Sequence, residues 1–351
     1  MAERLRVVAH CHANPRVGMG HAVRLGALLH HFPGGADLIC CVDGPLASQH
    51  FPKAAQFRRA DRDTVNEAVS EGVMAGDLTV LVVDLPQHDL AYWRLGSDRV
   101  LTIAIDDKGG FGIAADIVVN QSDIAGTAPY PDLPPHALVL RGLRCALLRQ
   151  AFSAPAAESF PRSGVGFVAG SGEYSDAWIA DVVRNLETES MGPVSIVIST
   201  THPSRTELMQ IGAARAIDVA TGLSPERMCE FYRRLDLCAM TGGTAIFEAM
   251  STGTPVLCYP ILDDMLQQTQ LLSSLGGVIA LPRSQAGTGA IEKAVREVLS
   301  DRTRLRRVGA TARSLVDGQG CVRVAALIGG VIDRWLSGCA KSEAVAMGAV
   351  A

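Results

Sequence analysis

Two uninterrupted apolar runs, Thr79-Val80-Leu81-Val82-Val83 and Val100-Leu101-Thr102-Ile103-Ala104-Ile105, constrain this chain more than any other feature. A strand with one face in water alternates apolar and polar residues, whereas these are apolar along their length. Strands of that kind lie inside a parallel sheet with helices on both faces. The flanking sequence repeats the theme: Leu5–His10, a helix from His21 to His31, Ala36–Val42, a helix around Thr64–Gly72 and Leu78–Asp84 alternate with the rhythm of βαβ units. Asp116-Ile117-Val118-Val119-Asn120-Gln121 reads as the last strand of a first domain.

Pro129, Pro131, Pro134 and Pro135 then exclude a helix, and a second alternation begins at Gly164. Its strands are Gly164–Ala169, Val194–Ser199, a short one near Ala216–Val219, Leu237–Met240, Pro255–Tyr259 and Gly277–Leu281. Its clearest helix start is Ser224-Pro225-Glu226, a serine cap with proline at the first helical position. The predicted class is α/β, with two doubly wound Rossmann-like domains facing a cleft. The expected divisions are an N-terminal domain over 1–152, a linker over 153–163, a second domain over 164–319, a helix over 320–336 packing back on the first domain, and a tail over 337–351 with little that demands order.

Composition narrows the function. In 351 residues, 32 basic against 36 acidic side chains give a formal net charge of −4, so no nucleic-acid partner is expected. No apolar run approaches the roughly 20 residues of a bilayer crossing, and no signal-peptide pattern opens the chain, which predicts a cytoplasmic protein. The nine cysteines form no C-x-x-C pair. His10, Cys11 and His12 are the only cluster with ligand chemistry, and no metal is predicted without a third and fourth ligand. No cofactor is expected either: Gly18-x-Gly20 lacks the third glycine of a dinucleotide fold, and a P-loop lysine is absent.

The chemistry-bearing stretches are turns. Gly18-Met19-Gly20-His21-Ala22-Val23-Arg24 joins the first strand to a helix, where backbone N–H groups and the helix dipole suit an anion and an imidazole can serve as proton acceptor; a plain tight turn is the alternative. Gly170-Ser171-Gly172 and Thr241-Gly242-Gly243-Thr244 are further glycine turns that open helices. Asp84 and Asp106-Asp107 fall at strand carboxyl ends, where open α/β sheets bind ligands and where turn caps also occur.

Taken in order, Gly20-His21-Ala22-Val23-Arg24, Val83-Asp84, Ile105-Asp106-Asp107 with Asp116 to Gln121, and Arg141-Gly142-Leu143-Arg144-Cys145-Ala146-Leu147-Leu148-Arg149 resemble the UDP-sugar hydrolases of pseudaminic acid biosynthesis and their spore-coat polysaccharide relatives. The second half is similar to the nucleotide domain that those hydrolases share with MurG-like glycosyltransferases of the GT-B fold. The resemblance implies that Gly242, Gly243 and Thr244 hold a diphosphate, that Glu248 accepts from ribose hydroxyls, and that Gly170 and Ser171 add N–H donors. It also implies that His21, with Asp84, activates a water to release UDP from a UDP-activated amino or deoxy sugar; Gly18, Gly20 and Arg24 complete the loop at the substrate.

Two positions depart from the hydrolase pattern. Pro86 stands where a tyrosine is usual, and Asp263-Asp264 with Gln267-Gln268 replaces an Asn-Gln pair, closer to the loop with which MurG-type transferases grip a donor sugar. A glycosyltransferase with His21 as base on an acceptor hydroxyl is therefore the alternative, and a non-catalytic nucleotide-sugar binding module the second. The one stretch similar to a MurG-type membrane patch, Phe51-Pro52-Lys53 to Phe57-Arg58-Arg59, is short and reads equally as a buried turn, so membrane docking is not expected.

Overall fold

The computed structural model describes residues 4–44, 46–88, 98–123, 126–153, 162–282 and 288–348. Most of the predicted linker, 154–161, lies outside the described residues. The chain forms two compact units, one of Met1–Leu148 with Gln319–Ala351 and the other of Arg149–Gly318.

The first unit is built on a seven-stranded parallel sheet. Its elements are β1 (Leu5–Cys11), α1 (Gly20–Leu29), β2 (Asp37–Val42), β3 (Gln56–Arg58), α2 (Arg62–Ala75), β4 (Leu78–Asp84), β5 (Val100–Ile105), β6 (Ile117–Asn120) and β7 (Leu138–Arg141). The order across the sheet is β3-β2-β1-β4-β5-β6-β7. Every residue of β4 and β5 is buried, as uninterrupted Val, Leu and Ile demand; each such side chain contributes roughly 1.5–3 kcal/mol. Helix α2 starts where the Asp61 carboxylate accepts from Thr64 N–H and stops at Gly76 in the left-handed conformation.

Two features correct the sequence reading. The sheet does not end at β6, because β7 pairs parallel with it from Ile117↔Leu138 to Asn120↔Arg141. Nor is 337–351 an unstructured tail: Lys341–Gly348 is a helix whose Ala344 and Val345 are buried in the first unit's core, while the Lys341 ammonium reaches Asp116 at 3.2 Å and donates to Val100 C=O at 3.0 Å. The preceding helix, Gly320–Leu336, puts Val324, Ile328, Val331, Ile332 and Trp335 into the same core. This burial accounts for an apolarity that reaches a mean hydropathy of 1.5 in an 18-residue window of Arg302–Leu336.

The second unit carries a six-stranded parallel sheet of order β10-β9-β8-β11-β12-β13. The strands are β8 (Val165–Val168), β9 (Val194–Ile198), β10 (Asp218–Thr221), β11 (Leu237–Met240), β12 (Val256–Cys258) and β13 (Ile279–Ala280). Helices Asp176–Asn185, Arg205–Ala214, Pro225–Arg234, Ala245–Ser251 and Asp263–Ser274 connect them, and Thr288–Ser300 and Arg302–Leu315 follow. The Ser224 hydroxyl caps the helix at Pro225 by accepting from Arg227 N–H. The polar segment after β12 is the start of helix Asp263–Ser274, the alternative that its sequence also allows.

In each sheet the strand order reverses at one place, β1 beside β4 and β8 beside β11. Such a reversal leaves a crevice outside the strand carboxyl ends, because the two outgoing connections leave for opposite faces. Cys11 aligns with Asp84 at the first reversal and Val168 with Met240 at the second. The glycine–histidine loop therefore begins beside Asp84, and the turns at Gly170 and Gly242 begin side by side.

Candidate active site

In the first unit, the loop between β1 and α1 is pinned by Asp43, whose carboxylate accepts from Ala13 N–H at 2.5 Å and Asn14 Nδ2 at 2.8 Å and meets His12 Nδ1 at 3.2 Å. Gly18 takes a φ of +81°, a conformation glycine adopts without strain. Helix α1 then starts at Gly20 without a side-chain cap. His21 and Arg24, three residues apart, share a helix face, and Asp84 meets both. His21 Nδ1 lies 2.6 Å from Asp84 Oδ1, Arg24 Nε donates to Asp84 Oδ2 at 2.7 Å, and Arg24 Nη2 donates to Asp84 Oδ1 at 2.7 Å. The remaining arm, Nη1, donates to Asp107 Oδ1 at 2.7 Å, and the Ser122 hydroxyl donates to the same oxygen at 3.0 Å.

This network revises one sequence assignment. Arg24 does not face a substrate: its side chain is 2% exposed and all three nitrogens are engaged by aspartates. Asp84 is fully buried and meets both His21 and Arg24. Burial would raise the Asp84 carboxyl, but the Arg24 guanidinium and then His21 outweigh it and hold it well below the usual carboxylate range. Asp107 is lowered in the same way, burial being overcome by Arg24. For Arg24, burial works against the charge, and Asp107 and Asp84 together raise it. An ionised carboxylate only accepts, so the Nδ1 proton of His21 points to Asp84.

Asp106 is taken up by structure. One of its oxygens accepts from Lys108 N–H, Gly109 N–H, Asn120 Nδ2 and the Tyr130 hydroxyl. The rings of His10, on β1, and His12, just past its end, have centroids 5.3 Å apart. Among the described residues no group of three His, Cys, Asp or Glu side chains is placed to hold a metal ion.

In the second unit, Gly242 and Gly243 have φ of +131° and +80°, so a side chain at either position would be strained. Met265, on the first turn of helix Asp263–Ser274, lies against Gly242, since a Cβ there would sit 3.0 Å from its Sδ. Nothing lies within 4 Å of a Cβ at Gly243, so that side of the turn is open. Thr244 precedes helix Ala245–Ser251, and Glu248 sits in its first turn, nearly buried. Its carboxylate is held by Arg149, which donates from Nε to Oε1 at 2.8 Å and from Nη2 to Oε2 at 2.9 Å. At the other turn, the Ser175 hydroxyl donates to Gly170 C=O and to Gly172 C=O, fixing the loop that carries Ser171. Gln267 is exposed and Gln268 partly buried on helix Asp263–Ser274; the Asp264 side chain lies outside the described residues.

Within each unit the structure thus brings together His21, Arg24 and Asp84, and separately Gly242, Thr244 and Glu248. Sequence reasoning missed the contacts of Asp107, Ser122 and Arg149, although Asp107 lies just past the buried strand β5 and Arg149 closes the motif that begins at Arg141.

No protein-family model matches the sequence, and no curated protein matches it. The fold is nevertheless shared with solved structures. A putative UDP-N-acetylglucosamine 2-epimerase from Listeria monocytogenes aligns over 94% of this chain and 97% of its own, with a TM-score of 0.59 at 12% identity. MurG of Acinetobacter baumannii aligns over 93% and 99%, with a TM-score of 0.56 at 14% identity. The spinosyn rhamnosyltransferase SpnG aligns over 95% and 100%, with a TM-score of 0.58 at 16% identity. The fold is GT-B.

Proposed function

We propose that this chain is a GT-B glycosyltransferase that takes a UDP-sugar donor and passes the sugar to an acceptor hydroxyl. The observation that carries the reading is the His21–Asp84 contact at 2.6 Å, with Asp84 clamped by Arg24. A histidine whose Nδ1–H is fixed on a buried carboxylate presents Nε2 as a base, and the carboxylate stabilises the imidazolium that forms. In the proposed step the acceptor oxygen bonds to the anomeric carbon, its proton moves to His21 Nε2, and the bond from that carbon to the diphosphate breaks, releasing UDP. The second unit holds the nucleotide, with the Gly242-Gly243-Thr244 turn at the diphosphate and Glu248 at the ribose. Several observations favour transfer over hydrolysis: Pro86 in place of tyrosine, glutamines on helix Asp263–Ser274, and a fold held in common with MurG and a rhamnosyltransferase.

The ordered motifs from Gly20 to Arg149 support a second reading, the release of UDP by a His21-activated water. One experiment separates the two: UDP release from a panel of UDP-sugars with and without an acceptor pool. Release that requires acceptor and falls by roughly 10²–10⁴-fold in His21→Ala is the expected result. Prompt stoichiometric release without acceptor establishes the hydrolase instead. Conversion of the UDP-sugar to its 2-epimer, or binding without turnover under any condition, would sink both readings.

A further inference from the structure

We infer that Tyr174 is a binding residue for the diphosphate: its ring seats on the Gly170-Ser171-Gly172 turn, and its phenol, rather than bare backbone, is what that turn offers a nucleotide. The inference rests on the nucleotide reading of the second unit and departs from the backbone cradle that the resemblance implies. What carries it is how the glycines are used. Gly172 has φ −86° and ψ 151°, extended backbone that any residue adopts, so conformation does not demand a glycine there. A Cβ at Gly172 would lie 2.2 Å from Tyr174 Cε1 and 2.7 Å from Cδ1, and one at Gly170 would lie 3.1 Å from the Tyr174 hydroxyl oxygen. The missing side chains are therefore the seat of the ring, which lies along the turn with its hydroxyl at Gly170. Ser175, fully buried, donates to Gly170 C=O and Gly172 C=O and so fixes the seat.

The seat stands at the reversal of the sheet. Val168 of β8 aligns with Met240 of β11, so Gly170 and Gly242, each two residues on, follow neighbouring strand ends about 5 Å apart. Just past β11, the Thr241 hydroxyl is fully buried and meets no described group, so the same place holds a polar atom in want of a partner. Neither 169–176 nor 240–245 contains a lysine or an arginine. The charged side chains there, Glu173 and Asp176, accept and repel an anion, so a diphosphate at these turns is held by neutral donors. A phenol is the most acidic of the neutral hydroxyls and a strong donor to a charged oxygen.

The test is isothermal titration calorimetry with UDP and uridine. Wild type is expected to bind UDP more tightly than uridine. Tyr174→Phe keeps the ring in its seat and removes the donor, so UDP is expected to weaken about 10-fold, the worth of one hydrogen bond to a charged group, with uridine unchanged. Gly172→Ala suits the backbone but puts a Cβ where the ring lies, so it is expected to give the same selective loss and to add nothing further in the Tyr174→Phe background. Should Gly172→Ala fail to fold, Tyr174→Phe decides alone. Full UDP affinity in Tyr174→Phe, as a packing role would give, overturns the inference and leaves the nucleotide reading standing; equal weakening of UDP and uridine overturns it too. No binding of UDP by wild type overturns both.

Discussion

The base proposed at His21 must be aimed, and the means is a single aspartate at the end of β4 that meets His21 and Arg24 at once. Asp84→Asn keeps the shape but cannot accept from both partners. It is expected to lower kcat while leaving UDP affinity near wild type, because no residue proposed to hold the nucleotide is touched; steady-state kinetics beside calorimetry reads that split. The variant also leaves Arg24 with Asp107 alone, a loss of about 3 kcal/mol when one member of a buried ion network goes, visible in urea unfolding. A second expectation concerns His10, fully buried on β1, whose pKa is pushed down to about 4 by burial and then by the neighbouring His12. The unfolded chain takes up that proton near 6.5 and the folded one does not until about 4. The stabilising difference is therefore complete above pH 6.5 and is lost as the pH falls to about 4, a total of about 3 kcal/mol. Urea midpoints between pH 7 and 4 should show this slope in wild type and a flatter one in His10→Leu; equal slopes would assign the effect elsewhere.

Among the elements, Gly320 gives the sharpest stability test. It opens helix Gly320–Leu336 at a point where a Cβ would lie 2.1 Å from the Ala146 carbonyl oxygen and 2.7 Å from its nitrogen. Backbone cannot yield as a side chain does, so Gly320→Ala is expected to cost about 1–3 kcal/mol, measured by chemical denaturation. The elements also show what the sequence made legible. Bounds for Leu78–Asp84, Val100–Ile105 and Leu237–Met240 coincide with the apolar runs, because residues buried on both faces leave a continuous signal. β3 has three residues at a sheet edge and no such signal. β7 was hidden by the prolines before it and by half-buried Val139 and Leu140. The helix at Lys341 is short, and its burial of Ala344 and Val345 depends on partners remote in sequence. At the site, the i, i+3 spacing of His21 and Arg24 was there to be read. That both converge on Asp84 was implied only by the family resemblance, and only for His21, since it is the β1–β4 pairing that puts Asp84 beside the loop. Arg24 was assigned to substrate because nothing in the sequence says which way an arginine on an amphipathic helix points.

At the scale of the molecule, each unit has its own core, one around β1, β4 and β5 and another around β8, β9 and β11. A ligand held by the second unit should report there. At 100 times its dissociation constant, UDP adds about 2.7 kcal/mol to the state that binds it, so the slowest amides of β8 and β11 are expected to exchange about 100-fold more slowly in hydrogen-exchange mass spectrometry. Unchanged rates in those strands would contradict the placement of the nucleotide in that unit. The units also differ in how the chain builds them. Arg149–Gly318 is continuous, but the core of the first unit takes its last buried layer, from Val324 to Val345, from residues made after the second unit is finished. During synthesis at about 5–20 residues per second, the sheet of the first unit waits roughly 10–30 s for that layer while the second can already close. The unit whose sheet is made first is thus the unit that matures last, and for that interval its apolar face is left uncovered by its own chain.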